Sequence, residues 1–195
     1  MHIGIMGGTF DPIHTGHLIA AETAREAARL DEVWFMPASA PPHKDRPPGA
    51  TAEERLEMVQ LAVHAHPCFR AIDIELQRGG VSYSVDTVEE LRRRYPGYHF
   101  SYIIGADMVQ YLPHWHQIER LCGMIRFIGL NRPGTTLNLG VLAEYIRQSV
   151  TLVEMPEIGI SSTDIRLRRA SGRSIRYLVP DPVHQYIEGK RLYES

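Results

Sequence analysis

Ile3-Gly4-Ile5-Met6-Gly7-Gly8-Thr9-Phe10-Asp11-Pro12-Ile13-His14-Thr15-Gly16-His17 is the stretch whose reading decides the fold. Ile3, Ile5 and Met6 give the short apolar run of a buried strand. The Ala-rich stretch from Leu18 to Leu30 favours a helix, beginning near Thr15 or Gly16. The residues between therefore join a strand to a helix. Gly7 and Gly8 carry no Cβ, so backbone N–H groups there and at Thr9 and Phe10 can approach an anion, and the helix points its positive end the same way. His14 and His17, three apart in sequence, put both imidazoles on one helical face as donors to phosphate oxygens. Taken singly, a Gly-Gly turn is only a turn, and a His-x-x-His pair is two capping or surface histidines. Together they suit a polyphosphate. Zinc is the poorer reading of the pair: Cys68 and Cys122 lie elsewhere, and no His-Glu-x-x-His run occurs.

Working outward, 195 residues are enough for one well-buried domain and few for two, so residues 1–195 read as a single domain. A formal charge of −2 with ten histidines neutral gives no sequence-independent grip on a nucleic-acid backbone. No apolar run has the length of a membrane span or a signal segment, and the two cysteines read as small core residues of a reducing compartment. The expectation is a cytoplasmic protein bound to neither nucleic acid nor membrane.

Val33 to Met36 reads as a second strand, stopped by Pro37. A Pro-rich loop follows, holding Pro41-Pro42-His43-Lys44 near the edge where an open parallel sheet gathers ligands, although a His-Lys pair in such a loop is also ordinary solvated chain. Thr51 and Glu54 form a capping-box pattern opening a helix whose Leu56, Val59 and Val63 share a face. Ile72, Ile74 and Leu76 alternate with Asp73 and Glu75, which predicts a half-exposed edge strand ended by Gly79-Gly80. Ser84 reads as the N-cap of a helix burying Val88, Leu91 and Tyr95. Phe100 to Ile104 is the most strand-like run, and it delivers Asp107 to the carboxyl end of a central strand, as a helix cap or an acceptor for ribose hydroxyls. Trp115 is either a core plug or a platform for a planar, even cationic, ring. Further on come a strand from Met124 to Leu130 ended at Arg132-Pro133-Gly134, a helix from Leu137 to Gln148, and a last strand from Val150 to Val153. The run Ser161-Ser162-Thr163-Asp164 opens a helix with Arg166 one turn inward, a second anion site that could hold the far end of a polyphosphate. Asp181-Pro182 to Gly189 reads as a closing helix with a structural role only. The alternation of strands and helices predicts an α/β, Rossmann-like, doubly wound parallel sheet with helices on both faces.

The opening residues match the nucleotidyltransferase superfamily signature, Gly-x-Phe-Asp-x-x-His-x-Gly-His. From end to end the chain resembles bacterial nicotinate-nucleotide adenylyltransferases through that signature and three further motifs: Pro41-Pro42-His43-Lys44, Gly105-Ala106-Asp107 with Leu112-Pro113-His114-Trp115, and Ile160 to Arg166. The resemblance implies AMP transfer from ATP to nicotinate mononucleotide, releasing pyrophosphate, in NAD biosynthesis. It assigns Gly7, Gly8, Thr9, Phe10, His14, His17, Ser162, Thr163 and Arg166 to ATP, with His14, His17 and Arg166 catalytic. Lys44 would help with the mononucleotide phosphate, Asp107 would hold ribose, Trp115 would stack on the pyridine, and Ser84 would receive the carboxylate beside His116. Ser84 stands where relatives often carry Thr, and His116 where they often carry Tyr. Mg2+ would travel on the ATP phosphates without assigned protein ligands, and a homo-oligomer is compatible with the family. Phosphopantetheine adenylyltransferases and cytidylyltransferases share the opening signature but have no need of Trp115 and Ser84. A non-catalytic nucleotide-binding regulator would have no need of intact His14, His17 and Arg166.

Overall fold

The computed structural model describes residues 1–39, 48–131 and 137–194. Six strands, β1 (His2–Gly8), β2 (Glu32–Pro37), β3 (Phe69–Ala71), β4 (His99–Gly105), β5 (Arg126–Asn131) and β6 (Val150–Glu154), form one sheet in the order β3-β2-β1-β4-β5-β6. Every neighbouring pair is parallel. The connecting helices are α1 (Thr15–Ala27), α2 (Ala52–Val63), α3 (Ile74–Arg78), α4 (Ser84–Arg94), α5 (Ala106–Tyr111), α6 (Ile118–Cys122), α7 (Glu144–Ser149), α8 (Ser162–Ala170) and α9 (Asp181–Lys190).

A strand buried on both faces alternates its side chains between two cores. Val33 and Phe35 of β2 join the core under α1, α2, α8 and α9, whereas Trp34 and Met36 join the core under α3 to α7. The doubly wound architecture follows from that alternation. Sequential order reverses between β1 and β4, and there the ladders diverge. The β1–β4 pairing ends at Ile5 and Tyr102, while β1 runs on with β2 to Gly8 and β4 runs on with β5 to Gly105. The two halves of the sheet part at their carboxyl ends, opening the crevice in which ligands of such folds sit.

Five expectations are corrected. Residues 72–76 are no strand: β3 ends at Ala71, and Ile74–Arg78 is a helical turn burying Ile74 and Glu75. Five residues of alternation are too few to separate a period of 2 from one of 3.6. The stretch from Leu137 to Gln148 is broken: a 3-10 turn, Leu139–Val141, is capped by the Asn138 side chain accepting from Gly140 N–H, and α7 starts only at Glu144. Ser84 is the first residue of α4 rather than its cap, a position held by Tyr83. The closing helix passes Gly189 to Lys190, and Arg191 ends it in the left-handed region at φ 54°. Both cysteines are half-buried rather than in the core, and among the described residues no helix is long and apolar enough to cross a membrane.

The capping box of α2 forms as its sequence requires: Thr51 Oγ1 accepts from Glu54 N–H at 3.2 Å, and a Glu54 carboxylate oxygen accepts from Thr51 N–H at 2.9 Å. Thr51→Ala is expected to lower the unfolding free energy by about 1 kcal/mol in urea titrations. An unchanged midpoint would remove this cap from the account of α2.

Candidate active site

The turn leaving β1 is shaped by close packing. A Cβ on Gly8 would lie 3.0 Å from the Phe10 ring, and one on Gly16 would lie 3.1 Å from His14 Nδ1, so both glycines make room for the rings beside them. Phe10, buried and at φ 50°, packs edge-on against His17 with ring centroids 5.1 Å apart. His14 is the N-cap of α1 and His17 its third residue; their rings stack at 3.7 Å. His17 Nδ1 accepts the His14 backbone N–H at 3.2 Å, so the neutral His17 ring carries its proton on Nε2, free to donate. Nδ1 of His14 is buried without a hydrogen-bond partner among the described residues.

The N-terminus of α8 meets the β1 turn directly. Ser161 caps α8, accepting from Asp164 N–H at 3.1 Å. Ser162 Oγ donates to the Pro12 carbonyl at 2.9 Å, and Arg166 donates to the Asp11 carbonyl at 2.7 Å and to Thr163 Oγ1 at 3.3 Å. The N-termini of α1 and α8 thus converge on one turn, with their positive dipole ends together. Among the described residues no group of three or more His, Cys, Asp or Glu side chains could hold a metal ion. A donor set of N–H groups, imidazoles and a guanidinium suits an anion.

Across the crevice, Tyr102 of β4 links three features. Its hydroxyl would lie 3.2 Å from a Cβ on Gly7, the Ser84 side chain lies close enough to act on its titration, and its ring lies perpendicular to that of Trp115 at 5.9 Å. Burial pushes the Tyr102 hydroxyl well above the ordinary tyrosine range. Trp115 also packs edge-on against Phe127 at 6.0 Å and is half-buried, with Nε1 buried and unpartnered among the described residues. Trp115 is thus packed on the core by two aromatic neighbours yet only half-buried. His116 lies 4.5 Å from the Tyr83 ring, and Asp107 occupies the first turn of α5 at the end of β4. The structure accordingly brings Gly7, Gly8, Thr9, Phe10, His14, His17, Ser162, Thr163 and Arg166 to one side, and Ser84, Asp107, Trp115 and His116 to the other. Lys44 and Arg132 lie outside the described residues.

Three residues escape a sequence reading. Asp11 is 4% exposed and accepts from Gly49 N–H at 2.8 Å, Ala50 N–H at 3.0 Å and the Tyr193 hydroxyl at 2.8 Å. Tyr193, just beyond the closing helix, is thus tied to the phosphate turn rather than serving structure elsewhere. Arg55 is 1% exposed on the apolar face expected for Leu56, which is only half-buried. Its spacing of four from Val59, and eight from Val63, is the signal that places it on the buried stripe.

A glycine-rich turn joined by two helix N-termini at the switch point of a doubly wound parallel sheet defines the class: an α/β nucleotide-handling enzyme fold. A family model described as cytidylyltransferase-like matches residues 5–168. A probable nicotinate-nucleotide adenylyltransferase from Exiguobacterium sibiricum is 50% identical over 195 residues, covering 100% of both chains. The nicotinate-nucleotide adenylyltransferase of Bacillus subtilis is 44% identical, covering 99% of this chain and 98% of its own. Plasmodium falciparum nicotinic acid mononucleotide adenylyltransferase, solved in complex with NaAD, superposes with a TM-score of 0.77 at 20% identity, covering 98% of this chain and 97% of its own. The chain belongs to the cytidylyltransferase-like family and, within it, to the nicotinate-nucleotide adenylyltransferases.

Burial holds both site histidines neutral. Desolvation lowers His14 from 6.5 to about 4, and desolvation together with the neighbouring His14 lowers His17 to about 3. Because these values lie below that of an unfolded histidine, the unfolded chain takes up the protons first as pH falls. The stability they supply is complete above 6.5 and is lost as pH drops toward 4 and then 3. In NMR titrations without nucleotide, both ring signals should keep their neutral positions at pH 6. Midpoints near 6.5 would contradict the buried stack.

Proposed function

We propose that this chain transfers AMP from ATP to nicotinate mononucleotide, giving nicotinate adenine dinucleotide and pyrophosphate, as a cytoplasmic step of NAD biosynthesis. The observation that carries the reading is the meeting of the stacked His14–His17 pair with the Arg166 helix on one glycine-rich turn. The names of the relatives, matched over nearly the whole chain, support the acceptor.

A phosphate oxygen of the mononucleotide attacks the α-phosphorus of ATP. A new O–P bond forms as the bond from the α-phosphorus to the bridging oxygen breaks, and that electron pair leaves with pyrophosphate. An ionised phosphate has no proton to lose, so the chain needs neither a general base nor a nucleophile of its own. Its task is to align two polyanions and stabilise charge growing on the leaving group. The N–H groups of Gly7 to Phe10 and of the α8 N-terminus, with Ser162 and Thr163, hold the phosphates. The Nε2–H of His17, a ring of His14 and the Arg166 guanidinium donate where the charge develops. Mg2+ carried on the phosphate oxygens would neutralise part of that charge, keeping its waters in place of protein ligands. On the other side Asp107 accepts from ribose hydroxyls, Trp115 stacks on the pyridine, and Ser84, with nearby N–H groups and His116 beside it, receives the carboxylate. Lys44 draws the mononucleotide phosphate.

Pyrophosphate release with ATP and Mg2+ should be much faster with nicotinate mononucleotide than with nicotinamide mononucleotide; equal rates would sink the carboxylate pocket. His17→Ala should lower kcat by about two to three orders of magnitude, as loss of an oxyanion-type donor does. Wild-type turnover would remove His17 from the mechanism. Trp115→Ala should raise KM for the mononucleotide while leaving a cooperative melt, and a loss of cooperative melting would show a core plug instead.

A further inference from the structure

Arg55 lies on the buried stripe of α2, yet its side chain is among the largest in the protein that are fully removed from water. One of its terminal nitrogens, Nη1, donates to two backbone carbonyls, Thr9 at 2.7 Å and Ala38 at 2.9 Å. Among the described residues no carboxylate lies within ion-pair distance of it, and its Nε is buried without a partner. Burial pulls its affinity for the proton down, with the nearby charge of Asp11 opposing. Such a cation is a poor way to stabilise a core, since an apolar side chain of similar volume commonly serves as well or better.

Its partners suggest what it is for. Thr9 and Phe10 share a planar trans peptide, so the Thr9 carbonyl and the Phe10 N–H point in opposite directions. Drawing that carbonyl toward Arg55 turns the Phe10 N–H away from it, toward the anion side of the turn, and holds Phe10 at its left-handed φ of 50°. The bond to Ala38 ties the same turn to the end of β2, where Ala38 N–H already donates to the Gly8 carbonyl at 2.9 Å.

We propose that Arg55 is a positioning residue: by gripping the Thr9 and Ala38 carbonyls it orients the N–H groups that bind the triphosphate. The inference rests on the ATP site proposed above but not on the acceptor. It is tested with inorganic tripolyphosphate as the probe, by calorimetry, alongside kcat and KM for ATP, in Arg55→Met and Arg55→Lys. Arg55→Met leaves the Thr9 and Ala38 carbonyls without their donor, so it should melt at a lower temperature but still cooperatively, and it should weaken tripolyphosphate binding and raise KM for ATP by about tenfold, the order of effect of a small misplacement in a site. KM for the mononucleotide should move by less than about twofold, since its contacts lie across the crevice. Arg55→Lys keeps the charge but loses the planar fork, and should recover less than half of the loss on a logarithmic scale. Unchanged tripolyphosphate binding in Arg55→Met would overturn the proposal, and so would full recovery in Arg55→Lys, which would show that charge alone matters. Should Arg55→Met fail to fold, a folded Arg55→Lys with about a threefold or greater loss supports the proposal, and wild-type constants overturn it. Because tripolyphosphate binding is read without any acceptor, a wrong acceptor assignment leaves this comparison intact.

Discussion

The convergence of α1 and α8 on the β1 turn depends on one carboxylate almost out of reach of water. An isolated buried carboxylate costs several kcal/mol, and Asp11 offsets that cost with directed partners from across the chain. The β1 turn supplies Asp11 itself, and the N–H groups of Gly49 and Ala50 bring in the approach to α2. The Tyr193 hydroxyl brings in the segment after α9, and Arg166 of α8 stands with its guanidinium 3.7 Å from the carboxylate and 2.7 Å from the carbonyl of the same residue. Four separate parts of the fold are registered on a single side chain. The N-termini of α1 and α8 face the same space because Asp11 and its neighbour Pro12 are where they are held.

Charge is arranged sparingly around that registration. Two protonated imidazoles 3.7 Å apart would repel each other and the nearby Arg166, so the stack is tenable because burial keeps both rings neutral. Neutral rings still donate hydrogen bonds, and backbone N–H groups at two helix ends add partial positive charge without desolvating an ion. A net formal charge of −2 is therefore no obstacle to binding a polyanion, since the attraction is local and built from dipoles.

Legibility in the sequence tracked the distance over which each feature is specified. The β1 turn, the capping box of α2 and the cap of α8 are written within a few consecutive residues, and they formed as expected. The parallel, doubly wound character of the sheet followed from the alternation of strands and helices, whereas the order of its strands was seen only in the structure. The Ile72–Leu76 run was misread because a single helical turn and a short strand share its pattern, and only the packing of Ile74 and Glu75 decides between them. Ser84 was misplaced by one residue, within the usual fraying of helix ends. Arg55 was hidden by the habit of placing arginine at the surface, although its own spacing from Val59 and Val63 argued otherwise. Tyr193 was beyond reach, since nothing near it in sequence signals a partner 182 residues away.

That last separation has a bearing on how the protein comes into being. Synthesis makes Asp11 of the glycine-rich turn 182 residues before Tyr193, so the hydroxyl that completes Asp11 arrives only after the strands and helices described above. Closing so long a loop costs conformational entropy that local contacts cannot return, so this contact belongs among the late events of folding. Chains lacking Tyr193 would carry the glycine-rich turn with its anchoring carboxylate still short of a partner.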